Sequence, residues 1–448
     1  LAQGHRPGRS SVRGSSFARM DSRRAFRLTY SQTWYGRSFR REAAFWVVNF
    51  QFRRYSGSVM VEMPGRVDRR FRPPKTSYFL FGPRGTGKTT LLSQLYPESV
   101  RIDLLDPATS RQLSAYPERL ADIARAAPAG EPVVVDEVQR VPEVLPVVHA
   151  LIESDGLRFV LTGSSARKLR RSGQDLLGGR AVNRTIHPFT PEELGERFDL
   201  DRALEIGTIP LIWMADASTD VLRSYAALYV REEVKQEALV RNAGDFSRFL
   251  EAISFSHGAQ LNISSVSREA AIERKTVSSF VSILHDLLLS FELPVFRKRA
   301  KRQVVQHPKF YFVDAGLFRS LRPSGPLDRP EEIGGAAFEG LVLQTIRAEL
   351  AYTAIDASLY FWRTRHGLEV DCVVYGAGLF AAVEVKSSAK ARPEDERGLR
   401  AFLTDYPEAK GMVVYRGTRR LNRSGIVWLP AEEFLMRSAD PGELFRPW

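Results

Sequence analysis

The sequence predicts an α/β protein: a parallel sheet with flanking helices, then a helical segment, then a second α/β unit. Three observations predict it. An apolar run, Tyr78-Phe79-Leu80-Phe81, leads into a glycine-rich loop and a helix-like stretch, Thr90–Leu95. A second apolar run, Val133-Val134-Val135, ends in two acids, Asp136 and Glu137. Far downstream, two strand-like segments, Glu369–Val374 and Phe380–Lys386, carry carboxylates and a Glu-x-Lys. Short apolar runs of the first kind read as strands buried on both faces, as parallel strands covered by helices are.

Residues 1–59 stand apart. They hold twelve Arg, no Lys, and only Asp21 and Glu42 as acids, so they carry +10 of the net +13 and leave +3 for the rest. That composition predicts a basic leader without a stable fold. It fits an organelle transit peptide, a basic arm for nucleic acid, or sequence upstream of a start at Met60 or Met63. Elsewhere, the 44% hydrophobic content supports packed cores. One cysteine, Cys372, excludes an internal disulfide framework and suits a reducing, cytoplasmic setting. The seven histidines lack metal-ligand spacing, and no apolar stretch approaches the ~20 residues of a membrane helix.

Residues 60–195 read as a nucleotide-binding core. Gly82-Pro83-Arg84-Gly85-Thr86-Gly87-Lys88-Thr89 fits the phosphate-loop pattern, and its strand–loop–helix setting is the context the chemistry needs. Glycines let main-chain N–H groups crowd round a phosphate, and the helix N-terminus adds positive potential. Gly82, Pro83, Arg84, Gly85, Thr86, Gly87, Lys88, Thr89 and Thr90 are therefore the candidate ATP-binding residues. Lys88 would reach the β- and γ-phosphates, and Thr89 would ligate Mg²⁺. Asp136 would hold the same Mg²⁺, a hard cation that takes oxygen ligands, and Glu137 would polarise the attacking water. The run Arg158–Ser165 predicts a further strand beside the Asp136 strand, with Thr162, or Ser164 close behind, as a γ-phosphate sensor. Strands are also expected at Val100–Leu105 and Ala181–Ile186, with a helix at Leu145–Glu153. Arg180, just before the last of these strands, would neutralise transition-state charge in its own subunit or in a neighbouring copy of a homo-oligomer; a surface ion pair is the plainer alternative.

Residues 196–244 predict a helical connector, a lid or a packing element. Residues 245–318 predict a winged-helix-like segment. Phe249, Leu250 and Ile253 start one helix, Asn262 caps a second, and Thr276–Leu289 carries Val277, Phe280, Val281, Leu284 and Leu288 as one apolar stripe. The last helix stands in the recognition position of a helix-turn-helix. Arg297-Lys298-Arg299-Ala300-Lys301-Arg302 puts five cations where a wing would lie, which suits duplex phosphates. DNA is thus one expected partner; a solvated loop or a protein contact is the alternative.

Residues 319–335, rich in Pro and Gly, predict a linker. In residues 336–448 a helix over Ala337–Leu350 carries Glu339 on its first turn, Asp371 follows on a strand, and Glu384 and Lys386 point together from the next. A helix Glu, a strand Asp and a Glu-x-Lys form the layout of the restriction-endonuclease-like, PD-(D/E)XK, site. There Glu339, Asp371 and Glu384 would hold a metal beside a scissile phosphate, and Glu384 and Lys386 would act in catalysis. Cleavage and passive binding both remain open, and Cys372 reads as a small buried hydrophobe.

These residues resemble a two-part family of prokaryotic ATP-binding proteins: an AAA-type core followed by a C-terminal domain of unknown function. Phe79–Lys88, Val135–Gln139 and Leu161–Ser165 look like its ATPase signatures. Pro308–Leu317 and Glu369-Val370-Asp371 before Glu384-Val385-Lys386 look like its C-terminal hallmarks. The resemblance runs from about Pro64 onward. It implies ATP binding, a winged-helix element and a nuclease-like fold, without a known substrate.

Overall fold

A computed structural model describes residues 66–164, 177–229, 243–353 and 355–436. The leader expected over residues 1–59 lies outside the described residues, as does Ser165. Three sheets organise the described residues.

The first is a five-stranded, all-parallel sheet in the order β2-β3-β4-β1-β5. Its strands are β1 (Ser77–Phe81), β2 (Arg101–Asp103), β3 (Val133–Asp136), β4 (Phe159–Gly163) and β5 (Ala181–Thr185). The central strands are buried along almost their whole length, which is why their sequences are continuously apolar. Alternation splits β1 between two cores. Phe79 and Phe81 pack with Val133, Val135, Phe159 and Leu161 beneath one helical layer. Tyr78 and Leu80 pack with Leu91 and Leu92 of the Lys88–Leu95 helix on the other face. The same second core receives Ala348 and Tyr352, from a helix far along the chain.

After the sheet come short helices at Pro191–Leu194, Leu200–Ile206, Pro210–Trp213 and Ser218–Ser224. Next, helices Ala243–Ser254, Ile263–Ala270 and Arg274–Asp286 pack together. Asn262 caps the second, its side-chain oxygen accepting from Ser265 N–H at 3.1 Å. Val277, Phe280, Val281 and Leu284 of the third are buried, whereas Leu288, the fifth residue of the expected stripe, lies past the helix end at φ 59° and is only partly buried. A small antiparallel sheet, β6-β8-β7, adjoins them: β6 (Ala259–Gln260), β7 (Ser290–Leu293) and β8 (Lys309–Phe312).

The third sheet has six strands in the order β13-β14-β12-β11-β10-β9. They are β9 (Ala357–Arg363), β10 (Glu369–Gly376), β11 (Leu379–Lys386), β12 (Lys410–Tyr415), β13 (Leu421–Arg423) and β14 (Ile426–Pro430). Strands β9 to β11 are antiparallel, and helix Arg397–Asp405 leads to β12, parallel to β11.

Three expectations need correction. The linker is shorter than 319–335: one helix runs over Ala315–Leu321 and the next already begins at Pro330, because a Pro at the first helical position suits a helix start. Glu339 therefore sits in the middle of a 23-residue helix, Pro330–Tyr352, and not on its first turn. The basic loop between β7 and β8 is also no free wing. Its flanks pair with edge strand β9: Phe296 N–H donates to Phe361 O at 2.7 Å and Val305 N–H to Arg363 O at 3.0 Å. An unpaired edge is a liability, and this loop covers it. Phe296 is buried in the core beneath.

Candidate functional site

At the C-terminal edge of a parallel sheet the strand ends deliver side chains to one crevice. Here β1 delivers the loop Gly82–Thr89, β3 delivers Asp136, and β4 delivers Thr162 to Ser164. Gly85 and Gly87 take left-handed backbone, φ 79° and 80°, conformations that an L side chain would oppose and that turn the loop into the helix. Lys88 is buried, and its ammonium donates to the carbonyls of Gly82 at 2.8 Å and Pro83 at 3.4 Å. Thr86 is buried, while Arg84, Thr89 and Thr90 are exposed at the mouth.

A chain of hydrogen bonds continues from the loop. Thr89 Oγ1 donates to Asp136 Oδ2 at 2.7 Å, and Thr162 Oγ1 donates to the other Asp136 oxygen. Glu137 N–H donates to Thr162 Oγ1 at 3.2 Å. The Glu137 backbone is left-handed, φ 57°, a costly conformation for a side-chain-bearing residue. Gln139 donates to the Glu137 carboxylate and to Ser164 Oγ. One carboxylate, two hydroxyls and a second acid thus meet beside the buried lysine, and Thr89 with Asp136 is a donor set that fits a hard dication.

Arg180 is elsewhere. In the β1–β5 register Ser77 faces Ala181, so Arg180 lies at the opposite end of the sheet, about 17 Å from the loop at some 3.3 Å per strand residue. There it pairs with Glu153 at 2.5 Å. Strand direction overturns Arg180 as a phosphate ligand in its own subunit and leaves the ion pair.

The arginine that does reach the loop carries no sequence motif and is absent from the sequence-based candidates. Arg69 precedes β1 and is almost wholly buried. It donates to Thr86 O at 2.8 Å, to His187 O at 2.6 Å, to Glu193 Oε1 at 3.0 Å and to the Tyr352 hydroxyl at 3.2 Å. Tyr352 also accepts from His187 N–H at 3.0 Å, and the His187 ring meets Gln344 at 3.1 Å. Burial, then the charges of Arg347 and Arg69, push the His187 imidazole well below its ordinary pKa, so it is neutral. Tyr225 Oη donates to Arg84 O at 3.1 Å, and Leu211 N–H to Gly85 O at 3.0 Å. The connector and helix Pro330–Tyr352 therefore brace the loop from behind.

The C-terminal carboxylates form a second constellation. The β10–β11 register places Asp371 beside Glu384. Lys386 Nζ donates to Glu384 Oε1 at 2.6 Å. Asp371 Oδ2 accepts from Val385 N–H at 2.9 Å. Between Glu339 and Asp371 stands Lys309, the first residue of β8 and only 2% exposed. Its ammonium lies 2.9 Å from Glu339, 2.5 Å from Glu369 and 3.4 Å from Asp371. Tyr311 Oη donates to Glu339 at 2.5 Å. Burial alone would lower the lysine pKa, but Glu339, Tyr311, Asp371 and Glu369 outweigh it and raise it well above its ordinary value. Burial raises the Glu339 carboxyl to about 7, with Lys309 opposing and Asp371 adding to the rise. Burial and then Asp371 push Glu384 up strongly as well. Among the described residues no group of three or more His, Cys, Asp or Glu side chains is placed to hold a metal ion. The expected metal set of Glu339, Asp371 and Glu384 is thus not assembled: Lys309 takes the first two and Lys386 takes the third. Cys372 is fully buried, as a small hydrophobe would be.

The basic loop is largely engaged too. Arg297 donates to Val305 O and Gln306 O, Lys298 lies 4.1 Å over the Tyr375 ring, and Arg302 pairs with Asp405 at 2.7 Å. All five cations of the run, Arg299 and Lys301 among them, are exposed.

Three family models match successive stretches of the chain: an AAA domain over residues 74–195, the domain of unknown function DUF8612 over 197–328, and the domain of unknown function DUF4143 over 334–434. The first stretch is thus similar to AAA domains, a class of P-loop ATPase domain for which ATP and Mg²⁺ are the usual ligands. The chain is similar to uncharacterized proteins of Mycobacterium tuberculosis and Mycobacterium bovis, each 28% identical over 369 residues, 80% of this chain and 80% of its own. An uncharacterized protein of Haemophilus influenzae is 24% identical over 204 residues, 42% of this chain and 51% of its own. Among solved structures, a RuvB mutant of Thermotoga maritima is 17% identical with a TM-score of 0.24, covering 49% of this chain and 82% of that one. A Vibrio cholerae protein is 11% identical with a TM-score of 0.20, covering 81% and 96%. Likeness at these scores adds nothing to the fold described above. Among the described residues no helix is long and apolar enough to cross a membrane.

Proposed function

We propose that this chain binds and hydrolyses ATP at the Gly82–Thr89 loop and uses the cycle to reposition its C-terminal half. The observation that carries the reading is the hydrogen-bonded set Thr89–Asp136–Thr162–Glu137 beside the Lys88 loop. Lys88 would move from the loop carbonyls to the phosphates. Thr89 and Asp136 would hold Mg²⁺, which supplies charge neutralisation when bound, and Glu137 would orient water. Thr162 is the γ-phosphate sensor in this reading. Helix Pro330–Tyr352 supports coupling, because it ends against Arg69 behind the loop and carries Glu339 in the C-terminal pocket.

For the C-terminal half we propose a winged-helix-like element followed by a restriction-endonuclease-like domain, with DNA as the ligand class. The helix order, the small antiparallel sheet and the exposed basic run, Arg299 and Lys301 included, support the first. The order of helix, three antiparallel strands, helix and parallel strand supports the second. DNA held without cleavage is the favoured form, a nucleotide-controlled switch, because Lys309 stands among the acids that a nuclease would give to its metal. ATP turnover by the full chain, with and without duplex DNA, tests both halves. Turnover absent in wild type, or unchanged in Lys88→Ala, refutes the first. DNA that is neither retained nor alters turnover refutes the second.

A further inference from the structure

The C-terminal pocket gathers acids that need a counter-charge. Glu339 comes from a helix, Glu369 and Asp371 from β10, and Glu384 from β11. Several carboxylates in a poorly solvated place demand a cation, since uncompensated buried charge is strongly unfavourable. Hydrolytic sites of this layout meet the demand with a dication from solution. This chain meets it from inside. Lys309 is not part of the six-stranded sheet at all; it opens β8 of the neighbouring three-stranded sheet and reaches across. Its ammonium is within 3.4 Å of three different acids, and the hydroxyl of Tyr311, two residues on along the same strand, holds one of them in place.

We propose that the Lys309 ammonium is the resident cation of the carboxylate pocket, and that it locks the three-stranded sheet to the C-terminal sheet and excludes a divalent metal. The proposal deepens the nuclease-like reading, since a divalent ion is the ligand such a pocket would otherwise take. Three features support it. Lys309 is all but inaccessible, so its ammonium is not a mobile surface charge. The three acids approach it from two separate elements, as ligands surround an ion. The remaining acid, Glu384, is bound by its own lysine, Lys386. Removing Lys309 would leave an acidic cavity complementary to Mn²⁺ or Mg²⁺.

The test uses the full chain without nucleotide or DNA, so its outcome is separate from that of the ATPase and DNA-binding readings. Thermal unfolding is followed with and without millimolar Mn²⁺. Wild type is expected to show no Mn²⁺-dependent rise in Tm. Lys309→Ala is expected to melt well below wild type without metal and to recover on adding Mn²⁺, the recovery disappearing when Asp371→Asn is added. A Mn²⁺-dependent rise in wild type that Asp371→Asn removes would overturn the proposal. So would a Lys309→Ala chain that is as stable as wild type and indifferent to Mn²⁺. Should Lys309→Ala fail to fold, the wild-type comparison with Asp371→Asn decides alone.

Discussion

Two buried lysines define the two halves of this protein, and their surroundings differ in kind. Lys88 donates to main-chain carbonyls of its own loop, while the acids of that crevice, Asp136 and Glu137, bond to hydroxyls and an amide. Lys309 is ringed by carboxylates. A hydrogen bond from an ammonium to a neutral carbonyl is worth about 1.5–3 kcal/mol net and leaves no charge behind when broken, so a polyphosphate can replace it. Breaking a buried ion pair costs about 3–5 kcal/mol, because a charge is left behind without compensation. The same residue type is therefore poised to meet a ligand in one half and to substitute for one in the other.

The largest effect that would break this comparison lies at the first lysine. Lys88→Ala is expected to lower ATP turnover by at least about a hundredfold, the order seen when one stabilising donor is removed. A steady-state phosphate-release assay measures it. Glu137→Gln should cut turnover by about 10²–10⁴-fold while ATP still binds, since only the water-orienting group is lost; loss of ATP binding in a fluorescence titration would count against that role. Tyr352→Phe removes the acceptor shared by Arg69 and His187 N–H, each buried, and should lower stability by about 1–3 kcal/mol and weaken ATP binding as the loop loses its brace. An unchanged ATP titration would detach the C-terminal helix from the loop.

A smaller effect concerns pH. A carboxyl whose folded pKa is raised binds its proton more readily in the folded state, so its contribution to stability falls as pH climbs from the unfolded value to the folded one. For Glu339 that window runs from 4.5 to about 7. Glu339→Gln should flatten the decline of Tm with pH in that window relative to wild type. The smallest effect is at the exposed end of the basic loop. Replacing both Arg299 and Lys301 by Ala should reduce the salt slope of DNA binding by about 2, close to one for each phosphate left without its cation. Arg302→Ala should instead lower Tm, because Arg302 is paired with Asp405.

Legibility in the sequence follows contiguity. The phosphate loop and the acids at the end of β3 are readable because each is a short local pattern whose strand context lies next to it. The helical stripe of Val277, Phe280, Val281 and Leu284 is readable for the same reason. Arg69 and Tyr352 stand 283 positions apart, and nothing local to either marks it as the other's partner. Lys309 lies inside a segment that resembles a family hallmark, yet a lone lysine at the start of a strand gives no hint that it enters another sheet's pocket. Arg180 misleads because proximity to a strand says nothing about which end of that strand faces the loop. The basic run misleads in part because charge predicts solvent or phosphate, whereas the flanking backbone is needed to cover β9.

Arg69 has a practical consequence. It lies upstream of the 74–195 stretch that matches the AAA domain, and Tyr352 lies far downstream of it. A protein trimmed to that stretch would keep every residue of the phosphate-loop pattern and lose both outside supports of its shape. Weak nucleotide affinity in such a fragment would reflect the excision and not the full chain, and the smallest faithful unit extends from before Arg69 through the helix that ends at Tyr352.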